Sequence, residues 1–113
     1  MKNLSVVSVK KSNKKLKLYF TKDELTKLLQ HYSIGVSKGK WKDYSINFTC
    51  NEAFFHFHRN TFEKPITSII KNNSKKKQKN IYKLFNNNQI MLYDTLDNLF
   101  IYLRRRNIIL VKR

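Results

Sequence analysis

Asp43-Tyr44-Ser45-Ile46-Asn47-Phe48, then Cys50-Asn51-Glu52, then Ala53-Phe54-Phe55-His56-Phe57-His58 is the stretch that decides the fold. Tyr44, Ile46 and Phe48 alternate with Ser45, Asn47 and Thr49, and Ala53, Phe55 and Phe57 alternate with Phe54, His56 and His58. A period of two on both sides of a turn-forming triplet predicts a β-hairpin with one apolar face. Towards the N-terminus the period changes. Thr21-Lys22-Asp23-Glu24 reads as a capping box, Phe20 and Leu25 occupy the positions of a hydrophobic staple, and Leu25, Leu28, Leu29 and Tyr32 recur at helical spacing. A helix is expected at about 22 to 33, with Gly35 as its stop. Leu16, Leu18 and Phe20 suit a short strand, and residues 1–15, with their Val-rich piece and lysine cluster, read as a basic tail or edge strand.

Towards the C-terminus, Lys64-Pro65 interrupts the chain, Ile66 to Lys71 predicts a third strand, and Asn72 to Asn80 reads as a polar loop. Ile81 to Phe85 and Gln89 to Tyr93 predict a second hairpin around Asn86-Asn87-Asn88, because asparagine tolerates the left-handed conformation of such turns. Asp94 or Thr95 can cap a final helix bearing Leu96, Leu99, Phe100 and Leu103 on one face. Ile108 to Val111 suits a last strand or a docking tail. The expected fold is α+β: an antiparallel sheet of about five strands with two amphipathic helices, forming a single domain over residues 16–113.

Composition narrows the function. With 113 residues, 24 Lys+Arg and 7 Asp+Glu, the formal charge is 24 − 7 = +17. Hydrophobic residues at 41% suffice for a core, which argues against wholesale disorder. One cysteine excludes an internal disulfide and leaves the compartment unconstrained or reducing. No apolar run is long enough for a transmembrane helix, the basic N-terminus lacks the apolar stretch of a signal peptide, and 2 glycines exclude a glycine-rich phosphate loop. Lys (19), Asn (13) and Ile (10) are inflated as by an AT-rich genome, but that bias would equally supply acids, which are scarce.

Phe20-x3-Glu24-Leu25, Leu28-Leu29-x2-Tyr32, Gly39-Lys40-Trp41-Lys42-Asp43-Tyr44-x-Ile46, Ala53-Phe54-Phe55, Arg59 and Glu63-x-Pro65 together resemble a bacterial domain-of-unknown-function family, number 2794. That family carries a Gly-Glu-Trp-Arg-Asp-Tyr-type segment at the place of Gly39 to Tyr44, a basic pair after the second strand, and a proline before the third. Lys40 departs from the acidic residue of that segment, and His58 stands where an arginine is expected. The resemblance implies a small cytoplasmic protein and supplies no activity, substrate or catalytic residue.

Nineteen of the 24 basic residues fall in four clusters: Lys10 to Lys17, Lys38 to Lys42, Lys71 to Lys83 and Arg104 to Arg113. Dense lysine gains entropy by releasing counterions to a polyanion, and aromatics lie among the charges. The expected function is therefore non-catalytic binding of nucleic acid, RNA or single-stranded DNA, dominated by backbone contacts because only 5 of the bases are arginine. The expected contacts are Lys38, Lys40, Trp41, Lys42, Arg59, Lys75, Lys76, Lys77, Lys79, Arg104, Arg105 and Arg106, with Trp41 as the stacking ring. The bland readings are that lysine loops are solvated surface, that Trp41 and Phe54 are core, and that the arginines merely complement a helix dipole. The alternative function is a protein-interaction module, a homodimer or an adaptor on an acidic partner. Binding to an anionic membrane surface is disfavoured by Asp23 and Glu24 on the first helix.

No cofactor and no metal is expected. His56 and His58 share a strand face, but zinc would need a further ligand, with Cys50 and His31 the candidates. Asp43, Glu52 and Glu63 read as ion-pair partners of the surplus bases rather than as a converging acid–base pair, so no catalytic residue is assigned.

Overall fold

Five antiparallel strands form one sheet in sequential order, β1 (Asp43–Phe48), β2 (Glu52–His58), β3 (Thr67–Ser74), β4 (Lys79–Asn86) and β5 (Gln89–Tyr93). Helix α1 (Lys22–Ser37) precedes the sheet and α2 (Leu96–Lys112) follows it. The structure, a computed structural model, describes residues 17–74, 79–86 and 88–112, with the side chains of 74 and 106–112 left aside. The α+β expectation holds, and the first hairpin follows the predicted register, with Tyr44 opposite Phe57 and Ile46 opposite Phe55.

Alternation divides every strand between two faces. Ala53, Phe55 and Phe57 face the same side as Ile69, Tyr82 and Leu84, and this side meets Leu28 of α1 and Leu96, Leu99, Phe100 and Leu103 of α2. Both helices therefore pack on one face of the sheet, as a single hydrophobic layer requires. Phe55, Phe57, Leu28, Ile69, Leu84 and Leu99 are its largest fully buried side chains.

The capping box is complete: Thr21 Oγ1 accepts from the Glu24 amide at 3.1 Å, and the Thr21 amide donates to Glu24 Oε1 at 2.8 Å. The same Glu24 also fastens α1 to the sheet. Lys71, 3% exposed, donates to Glu24 Oε1 and to the Tyr19 carbonyl, both at 2.9 Å, and the Tyr82 hydroxyl donates to Glu24 Oε2. Burial pushes the Glu24 carboxyl up, yet the hydrogen bonds from Lys71, Tyr82 and Thr21 and the Lys71 charge outweigh it and leave it below the usual carboxylate range. Lys71, counted above with a surface cluster, is thus a buried structural cation.

Several boundaries differ from the sequence expectation. α1 continues through Gly35 to Ser37, because Gly35 is where the helix passes over an indole; a Cβ there would lie 2.1 Å from Trp41 Cε2. The positive φ falls on Gly39, at +75°, just beyond the helix. Residues 17–20 join no ladder; the Leu18 amide donates to the Thr49 carbonyl at 2.8 Å, and the Tyr19 carbonyl accepts from Lys71. The expected polar loop 72–80 is shorter, since Asn72, Asn73 and Ser74 pair with Ile81, Asn80 and Lys79. At the second hairpin Asn86 pairs with Gln89, and Asn88 adopts φ +66°, as an asparagine turn allows. Ile108 to Val111 lie within α2 and form no strand. The N-terminal segment 1–15 lies outside the described residues.

Candidate functional site: the helix-free face of the sheet

The register that buries Phe55 and Phe57 turns their neighbours to the other side. Across the sheet run two adjacent rows: Asn47, Phe54, Ile70, Lys83, Leu92, and Ser45, His56, Ser68, Phe85, Ile90. Among the described residues no helix covers them. Phe54, Ile70 and Phe85 are half-buried, whereas Ile90 and Leu92 are 64% and 62% exposed.

The middle of this face is preorganised. The Phe54 and His56 rings stack at 5.7 Å between centroids and 18° between planes. His56 Nδ1 meets Ser68 Oγ at 2.6 Å. His58 Nδ1 lies 3.1 Å from the Glu63 carbonyl, which can only accept, so that nitrogen carries the proton; Nε2 then accepts from the Ser45 hydroxyl at 2.8 Å. Burial, with the neighbouring His58 second, holds His56 below the ordinary histidine range. Lys83 lies 3.5 Å from Glu52 Oε2, which also accepts from Asn72 at 3.2 Å. The face thus offers flat rings beside hydroxyl, amide and imidazole groups, and of its two acids Glu52 is paired with a lysine while Asp43 stands at its edge opposite His58.

The basic residues expected to form one patch divide between two ends of the sheet. At one end are Lys38, Lys40 and Lys42, between α1 and β1, and Arg59, just after β2; the Lys42 amide donates to the His58 carbonyl at 2.9 Å. Arg104 of α2 joins this end, since Lys40, Arg104 and Lys38 all act on His31. Arg105 is exposed on the same helix, while the Arg106 side chain is outside the described residues. Lys79 lies at the opposite end, 3.6 Å from Asp94. Strand β3 spans the interval from Thr67 to Ser74, seven residue steps or about 23 Å. Lys75, Lys76 and Lys77 lie outside the described residues.

Trp41 is a correction. It is 7% exposed, its Nε1 donates to the Tyr32 carbonyl at 2.9 Å, and it packs 4.6 Å from Phe57 and 5.5 Å from His31. An indole sealed between Gly35 and the sheet has no open face on which a base could stack. Phe54 was already weighed between stacking surface and core, but one accessible ring was missed by the sequence reading. Phe62, in the β2–β3 connection, is 99% exposed and adjoins the basic end that holds Arg59. Its signal was present: it stands in Asn60-Thr61-Phe62-Glu63-Lys64, with polar residues on both sides and none apolar at the strand spacing of two.

The metal and catalytic candidates do not converge. His31 sits on the helical face among Trp41, Phe57 and Phe100, and Cys50 is exposed at the β1–β2 turn, far from His58. No group of three potential ligands forms among the described residues. Asp43 and Glu52 lie at opposite ends of the first hairpin, opposite His58 and Asn72 respectively.

The family model described as "Protein of unknown function (DUF2794)" matches residues 18–99, a span that holds α1, all five strands and the start of α2. The chain belongs to this family. Comparison with curated proteins and with solved structures gave no match. Among the described residues no helix is long and apolar enough to cross a membrane.

Proposed function

In a family whose description carries no activity, function has to be read from geometry, and we propose that this protein binds single-stranded nucleic acid, RNA or DNA, across the helix-free face of its sheet without catalysing a reaction. The observation that carries this reading is the stacked Phe54–His56 pair on a sheet face that no described helix covers. Bases stack on such rings with little sequence preference, and the surrounding Ser68, Asn47 and Ser45 offer partners for base edges. Phosphates are held by Lys83 on the face and by Lys42 and Arg59 at one end, where the fully exposed Phe62 supplies a further ring. The net charge of +17 raises the local concentration of a polyanion. The cytoplasm, where the exposed Cys50 stays reduced, is the compartment this reading implies.

Fluorescence anisotropy with mixed-sequence single-stranded RNA and DNA tests it. Binding is expected at about 50 mM salt, with log affinity falling linearly in log salt by about 0.7 per phosphate neutralised. Phe54→Ala loses roughly 1–3 kcal/mol of binding, about 5- to 150-fold, without loss of fold. No retention of either nucleic acid at low salt, or full affinity in Phe54→Ala/His56→Ala, would overturn it.

A further inference from the structure

β5 is the outer strand on one side of the sheet, and its residues Gln89-Ile90-Met91-Leu92-Tyr93 carry no charge. Every other strand carries at least one: Asp43 in β1, Glu52 in β2, Lys71 in β3, Lys79 and Lys83 in β4. In a chain of 113 residues with 24 Lys+Arg, the one uncharged strand among the described residues stands at an edge that no described segment pairs. Edges that remain single are guarded by lysine, proline or a bulge. β5 has neither residue, and its pairing with β4 runs unbroken from Asn86–Gln89 to Tyr82–Tyr93. The opposite edge differs, for β1 begins with Asp43, and just beyond its end Thr49 accepts a hydrogen bond from Leu18. Ile90 and Leu92, both more than three-fifths exposed, project from β5 onto the helix-free face.

We propose that β5 pairs antiparallel with β5 of a second copy of this chain, about a two-fold axis at Met91. In that register Ile90 lies across from Leu92 of the second copy, Leu92 across from its Ile90, and Gln89 across from its Tyr93. All five residues pair, and four aliphatic side chains meet on one face at the spacing of directly opposed residues, about 4.5–5.5 Å. Centring the axis on Ile90 or Leu92 shortens the ladder and parts these side chains. The contact is self-complementary, as a two-fold interface must be. Its lack of charge explains why this edge, rather than a lysine-bearing strand, is where two molecules of +17 approach. Five paired residues fall short of the standard interface of about 1,600 Å², so the dimer is weak and concentration-dependent. Salt strengthens it by screening the mutual repulsion, the opposite of its effect on nucleic-acid binding, and the dimer does not depend on that function.

Sedimentation equilibrium of the full chain, free of nucleic acid, tests the proposal. The mass is expected to rise from 13.6 kDa towards twice that value as concentration approaches roughly 0.5 mM, and to rise further at about 1 M salt. Ile90→Lys/Leu92→Lys, which sets lysines against one another across the axis, stays at 13.6 kDa. Independently of that variant's folding, Met91→Cys in a Cys50→Ser background cross-links on mild oxidation, because the two copies of residue 91 face each other within disulfide reach. Asn47→Cys on β1 in the same background does not. A mass of 13.6 kDa at every concentration and salt, a dimer unaffected by Ile90→Lys/Leu92→Lys, or cross-linking through position 47 but not 91 would overturn the proposal.

Discussion

His31 shows how a single residue ties the helical layer to solution conditions. Its ring lies 5.2–5.6 Å from Phe100, Trp41 and Phe57, and burial, with the charges of Lys40, Arg104 and Lys38 behind it, lowers its pKa from 6.5 to about 4. The unfolded chain therefore takes up this proton before the folded one does. Stability contributed by a neutral His31 is present above pH 6.5 and drains away as pH falls towards 4, a loss of about 3 kcal/mol. His56, shifted the same way, adds to the slope. Urea unfolding between pH 7 and 4 should show this decline, and His31→Gln should flatten much of it; an unchanged slope would show that the ring is not the group responsible. Gly35 poses the converse case. Gly35→Ala gains helix propensity of about 1 kcal/mol but forces a methyl to 2.1 Å from Trp41, so a net loss of about 2 kcal/mol is expected in the same measurement.

At the scale of elements, α1 is fastened at both ends. Glu24 binds Lys71 and Tyr82 at its start, and Gly35 admits Trp41 near its finish. Glu24→Gln leaves the 3%-exposed Lys71 ammonium without its counter-charge and should cost about 3–5 kcal/mol by chemical denaturation. Glu24→Leu/Lys71→Met should recover much of that loss, since burying neither charge avoids the penalty. Equal instability of the single and double variants would mean that the ion pair is not what fixes the helix. The first hairpin and α1 were readable because alternation and a capping box are local patterns. The extent of β3 and β4 was not, because Asn72, Asn73 and Asn80 look like loop residues until their ladder is seen. For Trp41 the sequence left core and stacking surface both open, because the space that receives it is made by a glycine six residues earlier.

For the whole molecule, periodicity assigns residues to two faces but does not say which face is covered. Phe54, Ile70 and Phe85 are as apolar as Phe55, Ile69 and Leu84, and only the docking of both helices separates them. Charge likewise is a sequence property whose arrangement is not. Lys38, Lys40, Lys42, Arg59 and Arg104 gather at one end, Lys79 stands at the other, and an open sheet lies between them. A strand of nucleic acid running across that sheet engages either or both ends. Lys42→Ser/Arg59→Ser should therefore weaken binding for all sequences alike and reduce the salt slope by about 0.7 for each phosphate no longer neutralised, measured by the same anisotropy titration. An unaltered slope would remove this end of the sheet from the phosphate path.

The most direct measurement is an NMR titration of the full chain with a short single-stranded oligonucleotide at low salt. Stacking should move the ring resonances of Phe54, His56 and Phe85 upfield and perturb the amides of Ile70 and Ser68, while the Trp41 indole proton, hydrogen-bonded to Tyr32 inside the core, stays in place. Perturbations confined to α1 and α2, or a spectrum unchanged at saturating oligonucleotide, would contradict the assignment of the helix-free face as the binding surface.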